Sequence, residues 1–167
     1  VLKKYAENKD IHIAAMCSCI GIRETRHFES DYRLNKNDLL YGIGFEDAIA
    51  NGTYRVDIHH ADGAGITFLY LDGREEVFYD RTNPPVRRMW REDNGIAEYY
   101  QIPFRALVQR KVKNLITAGR MINADPDAFG AVRVMVNLNQ IGEAAGVAAY
   151  MAVSSGGAVW DTDTAKL

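Results

Sequence analysis

The chain has 167 residues, of which 47% are hydrophobic and 25% charged, and its formal net charge is −2. That length can bury the core of one domain, or a little more, and the composition is that of an ordinary globular protein. The slight negative charge argues against a nucleic-acid surface, and no apolar run approaches the roughly 18 residues of a membrane span.

In chain order, Val1-Leu2-Lys3-Lys4-Tyr5-Ala6-Glu7 reads as the tail of a helix, and the first residue is not Met. The expectation is a piece of a longer protein, and the sequence does not give its compartment. Ile11 to Ile22 is an apolar run expected to form a strand covered on both faces. Cys17 and Cys19 would share one face of that strand as buried thiols. Their spacing suits no common zinc site, so no metal is expected. A charged cluster follows, Arg23, Glu24 and Arg26. Asn35-Lys36-Asn37-Asp38 is a capping group that starts a short helix at Leu39-Leu40. A second short helix is expected over Phe45–Ala50, stopped by Asn51-Gly52.

Tyr54 to His60 reads as a strand, with Asp57 and His59 on one face. That pair suits a carboxylate-oriented imidazole acting as acid or base, or simply surface histidines before a turn. His12 and His27 show no such companion. Ile66–Leu71 and Arg74–Tyr79 flank Asp72-Gly73, a hairpin signal. Residues 80–98 are expected as an exposed loop. Within it, Arg87-Arg88-Met89-Trp90-Arg91 has the basic and aromatic character of a single-strand binder. The flanking Asp80, Glu92 and Asp93 mark a solvated loop instead. Tyr99 to Arg105 reads as another strand, with Pro103 at an edge or end.

Asn114 to Ala118 is expected as a short buried strand, followed by a polar loop and a long helix over 134–153. Ser154-Ser155-Gly156-Gly157 ends that helix. Ala118-Gly119-Arg120 lies just past the strand's carboxyl end, where open α/β sheets bind ligands. The free N–H groups of the helix start suit a phosphate or a polarised carbonyl oxygen. Gly142, Ala144, Ala145, Gly146, Ala148 and Ala149 allow either tight packing on a sheet or close approach of a flat ligand. Arg23 and Arg26 could fork onto a substrate carboxylate, or pair with Glu24, Glu29 or Asp31. The mixed order of elements fits an α/β or α+β chain and excludes a bundle or a sandwich.

Several of these segments together resemble the C-terminal part of the FAD-dependent oxidoreductase family, bacterial flavoproteins of the glutathione-reductase-like superfamily. They are Ile20-Gly21-Ile22-Arg23-Glu24-Thr25-Arg26, Phe45-Glu46-Asp47-Ala48-Ile49-Ala50-Asn51-Gly52, Asp57-Ile58-His59, Tyr100-Gln101-Ile102-Pro103-Phe104-Arg105 and Asn114-Leu115-Ile116-Thr117-Ala118-Gly119-Arg120. The likeness continues through Arg133-Val134-Met135 and Gly142-Glu143-Ala144-Ala145-Gly146. It implies an α/β fold with α+β character, in three parts. Residues 1–22 would be the end of a helix and a strand shared with the FAD domain. Residues 23–105 would be a β-rich segment covering the flavin, and 106–167 the closing strand-loop-helix of an incomplete Rossmann-type domain.

The resemblance further implies FAD as cofactor and hydride transfer between it and an unknown small-molecule substrate. Gly119 and Arg120 would line the cofactor, with Arg133, Val134 and Met135 at the helix entrance. Gly142 and Gly146 would let the helix pack closely, and Arg23, Arg26 and His59 are the catalytic candidates. The family's Gly-x-Gly-x-x-Gly turn, which holds the FAD pyrophosphate, is not among these residues. Gly42-Ile43-Gly44 lacks a third glycine and reads as a turn between two short helices. The chain is therefore expected to need an N-terminal FAD-binding half as partner, and to be inactive and flavin-free alone. Self-association through an exposed apolar face is also expected. The alternatives are a cofactor-free interaction domain keeping the fold, or a carbohydrate (uronate) lyase using Arg23, His59 and Tyr100.

Overall fold

Two antiparallel sheets and three α-helices make up the computed structural model, which describes every residue except 1–3, Lys9, Thr25, Arg81 and Asn94. Strand β1 (Ala48–Gly52) pairs with β6 (Tyr100–Pro103). The other sheet is a meander of β2 (Val56–His59), β3 (Ile66–Leu69), β4 (Arg74–Phe78) and β5 (Val86–Met89). Its register aligns Val56 with Leu69, and Asp57 with Phe68 and then Glu76. Alternation then gives each face its character. Val56, Leu69 and Val77 are buried, whereas Asp57, Phe68 and Glu76 form a half-buried second face.

The hairpin forms where Asp72-Gly73 predicts it. Gly73 takes a φ of +89°, which glycine adopts without a Cβ penalty. Helix α1 (Lys36–Leu40) starts at Asn35 with a full capping box: the Asn35 side chain accepts from Asn37 and Asp38 N–H, and Asp38 reaches back to the Asn35 N–H. Helix α3 (Met135–Ser155) ends on Gly156 at φ +69°, the stop read from Ser154-Ser155-Gly156-Gly157. The core joins Leu34, Leu39, Tyr100, Ile102, Phe129 and Ile141 from all three helices, β6 and the loop before α1.

Several expectations are corrected. Phe45–Ala50 is not a helix: residues 48–52 form β1, because pairing with β6 buries Gly52 against the Tyr100 ring, where a Cβ would collide. Residues 80–98 are not all loop, since β5 pairs with β4 although all four of its residues are exposed. Its arginines are held by that pairing: Arg87 binds Glu76 at 2.9 Å, and Arg88 forks onto Glu75. The polar loop before α3 holds another helix, α2 (Pro126–Val132), with Asp125 as N-cap and Pro at the first turn. Asn114–Ala118 is not a strand; only a bridge between Val108 and Ile116 forms there.

The largest correction is at residues 11–22. This run forms no strand among the described residues and is exposed, with Ile20 at 89%. A strand apolar on both faces needs neighbours on both edges and cover on both faces, and no described segment supplies them. Cys17 and Cys19 are accordingly exposed rather than buried. The expected helix tail at residues 1–7 lies partly outside the described residues; Ala6–Asn8 is a 3-10 turn.

Candidate functional site

Helix α2 packs directly on β2, closely enough that a Cβ on Gly130 would collide with the Asp57 carbonyl oxygen. Only glycine allows that approach, and it seats the end of α2 beside Asp57. The Asp125 carboxylate caps α2 through the Ala128 N–H at 2.6 Å and also accepts from the Lys36 N–H at 3.0 Å. A second tie joins distant segments. The Phe28 N–H donates to the Met121 carbonyl (2.7 Å), the Leu34 N–H to Asn123 (3.0 Å), and the Asp125 N–H to Leu34 (2.8 Å). The described residues of 22–28 are thereby held beside Arg120 and the ends of α2 and β2.

Three adjoining clefts open at this junction, all lined by Arg23. One, of about 640 Å³, lies between Arg26, His27, Arg120 and Met121. A second, of about 300 Å³, runs past Tyr54, Asp57, Arg133, Val134 and Met135 to the start of α3. The third, of about 710 Å³, holds His59, His60 and Asp127. Arg23, Arg26, Arg120 and Arg133 converge on the junction, facing the carboxylates of Glu24, Asp57 and Asp127. Glu24 binds His27 at 2.9 Å, and the His27 ring also reaches the Ile122 carbonyl (2.8 Å) and stands edge-on to Phe129. His27 therefore does have a carboxylate companion, against expectation. The pair is three residues apart in a segment with no regular period, which is why the pattern hid it.

Asp57 is the hub of the site. Its Oδ2 lies 3.9 Å from an Arg133 Nη, and its Oδ1 lies 3.3 Å from His59 Nε2 without hydrogen-bond geometry. Oδ1 is thus buried and unpartnered among the described residues. His59 Nε2 also lies 3.5 Å from Arg23 Nη2. The ring can turn its Nε2–H toward Asp57 or accept from Arg23 at a bare Nε2, two tautomers of one imidazole.

Helix α3 begins at Val134, whose side chain makes no cap. The Met135 and Val136 N–H groups are left without an intrahelical acceptor, Met135 lining the second cleft, whereas the Asn137 N–H donates to the Val134 carbonyl at 3.1 Å. What fixes this helix start lies behind it. Asn137, fully buried, donates to the Tyr100 hydroxyl (2.8 Å) and to the Ala131 carbonyl (3.1 Å). Burial pushes the Tyr100 hydroxyl pKa up to about 12. Tyr100 thus ties β6, α2 and α3 together and lies inside the core, not in any of the three clefts.

The structure gathers Arg23, Arg26, His59, Arg120, Arg133, Val134 and Met135 around the clefts. It leaves Gly119, Gly142 and Gly146 out of them. Gly119 takes a φ of +100° in the turn before Arg120. Gly142 and Gly146 lie on the outer side of α3 with nothing within 4 Å of a Cβ, so they pack on no described residue. Sequence reasoning missed Tyr54 and Gly130; the glycine inside the apolar run Ala128-Phe129-Gly130-Ala131 was the available sign.

The donor set can be tested against an isoalloxazine ring. The pyrimidine edge of a flavin offers carbonyl acceptors beside one N–H donor. The second cleft offers the Arg133 fork and free helix N–H groups beside the unpartnered Asp57 Oδ1, and it has Met135 and Tyr54 as apolar walls. The two sets are complementary. The model of one protein family, described as FAD dependent oxidoreductase, matches residues 1–167. No curated protein and no solved structure matches the chain.

Proposed function

The chain belongs to the FAD dependent oxidoreductase family, and from that premise we propose that the cleft at the start of α3 receives the pyrimidine edge of the flavin. The unpartnered Asp57 Oδ1, set among Arg133, Arg120 and the uncapped helix start, carries this reading. When bound, FAD supplies the acceptor or donor of a hydride. The chain's own residues do the rest. Arg133 and the α3 N–H groups hold negative charge at the ring's edge, and Asp57 holds an N–H. His59 Nε2, between Arg23 and Asp57, takes or gives the proton that accompanies hydride transfer to or from a small-molecule substrate. Arg23 and Arg26 orient that substrate from the facing wall.

The glycine-rich turn that would hold the FAD pyrophosphate is not among the chain's residues. We therefore expect the chain by itself to be inactive and to lose FAD on desalting. Joined to a segment carrying Gly-x-Gly-x-x-Gly, it would retain the yellow cofactor. Substitution Arg133→Gln in that joined protein is expected to weaken FAD retention about tenfold or more, read by flavin fluorescence. Unchanged retention in Arg133→Gln, or a purified chain that stays yellow alone, would overturn this arrangement. A second reading, a cofactor-free interaction domain, is favoured by the exposed apolar side of α3, where Val147, Tyr150 and Val153 face outward. Failure of the joined protein to take up FAD would favour it. Of the three residues a lyase would use here, Arg23 and His59 line a common junction and Tyr100 is fully buried.

A further inference from the structure

Arg55 precedes β2 on the half-buried face of the four-stranded sheet, and its guanidinium carbon stands 3.8 Å over the Phe68 ring. Tyr54 and Tyr70 stand to its sides, at 5.3 and 5.7 Å. Its Nε is buried and has no hydrogen-bond partner among the described residues. None of the described carboxylates on that face pairs with Arg55, although Asp57 keeps one unpartnered oxygen. Glu76 accepts from Arg87 and from the Tyr70 hydroxyl, each at 2.9 Å, and Asp57 faces Arg133 and His59. Asp72 in the hairpin turn holds Arg74 at 2.7 Å.

Arg55 consequently forms no ion pair among the described residues, although it is half-buried among aromatic rings. Stacking offsets part of the cost of drawing a guanidinium out of water, but it satisfies none of the N–H donors. An unpaired planar fork inside an aromatic collar has a natural complement: a planar anion with a flat or apolar body. The collar also touches the site described above, because Tyr54 lines the cleft at the start of α3 and Asp57 lies two residues along the same face. At strand spacing, that is about 7 Å.

We propose that Arg55 anchors the carboxylate of a small organic acid whose body lies against Tyr54, Phe68 and Tyr70, beside the flavin-edge cleft. That this acid would be the substrate rests on the flavin reading; the anion site itself does not. A carboxylate fits better than a phosphate because the collar is apolar and no second free cation among the described residues shares it. Arg74, the other cation near Tyr70, is already paired with Asp72.

The test is a titration of the purified chain with benzoate, and separately with inorganic phosphate, followed through the arginine Nε–H signals by NMR. Expected are saturable shifts of the Arg55 signal with benzoate, assigned by its loss in Arg55→Lys, and no saturation with phosphate. Arg55→Lys keeps the charge but loses the fork and the stacking, and should weaken benzoate about tenfold, followed in that variant through the ring signals of Tyr54 and Tyr70. Phe68→Leu, which keeps Arg55, should weaken it several-fold even if Arg55→Lys proves unstable. Equal response to phosphate would overturn the carboxylate assignment. No saturable shift, or weakening by Arg23→Gln but not by Arg55→Lys, would overturn the site. A joined protein that holds FAD but shows no benzoate response at Arg55 overturns this proposal alone. The reverse result overturns only the flavin reading.

Discussion

At the scale of single residues, Tyr100 shows how a core group reports on the site it supports. Its hydroxyl is held protonated, with a pKa about 12 against an ordinary 10.0. A folded-state pKa raised above the unfolded one contributes stability that is fully present below pH 10 and lost as pH climbs toward 12. Thermal melts should therefore show an alkaline decline in the wild type that is smaller in Tyr100→Phe. At neutral pH the same substitution should cost about 1 kcal/mol, since Asn137 loses one acceptor but keeps the Ala131 carbonyl. A wild type and variant that decline in parallel would place the titration elsewhere. Residue types singled out Arg23, Arg26 and His59, because forks and imidazoles are recognisable as chemistry, whereas Arg120 and Arg133 entered through the family resemblance. Residue types did not reveal the hub. Asp57 stood out only as a companion to His59, and its position between His59 and Arg133 depends on α2, whose Asp125-Pro126 start lies within the stretch read as a polar loop.

Elements were legible where their own residues end them, and obscure where a distant partner makes them. The Asn35 cap, the Asp72-Gly73 turn and the Gly156 stop each fix backbone geometry within a few residues, so α1, the β3–β4 hairpin and the end of α3 follow from sequence. β1 and β5 are strands because β6 and β4 lie beside them, and the Asn-Gly of β1 reads locally as a helix stop. Two substitutions test this division. Asn35→Ala should cost about 1 kcal/mol through the lost capping box, measured by urea unfolding. Gly130→Ala, harmless by helix propensity, should instead destabilise by about 1–3 kcal/mol or more, because α2 must move off the Asp57 backbone. A neutral or stabilised Gly130→Ala would mean that α2 and β2 are not in this close contact.

For the molecule as a whole, α3 is the informative surface. Its 21 residues carry one charged side chain, Glu143. The inner side buries Ile141, Ala144, Ala145 and Ala148, and the outer side shows Val147, Tyr150 and Val153. A helix apolar on both sides is ordinarily covered on both. We expect the purified chain to self-associate through this face, giving a mass in light scattering that rises with concentration, and Tyr150→Glu to suppress that rise. A wild type that stays monomeric at high concentration would count against it. The pairing of residues 28–34 with 121–125 has a further consequence, in the order of synthesis. His27 and its Ile122 partner are 95 residues apart. At ordinary translation speeds, roughly 5–20 s pass between the appearance of the two. Through that interval His27, Phe28 and the arginines before them stand on the ribosome without their counterpart. The cleft is a late product of translation, and a nascent chain released before Met121 emerges carries one wall of it only.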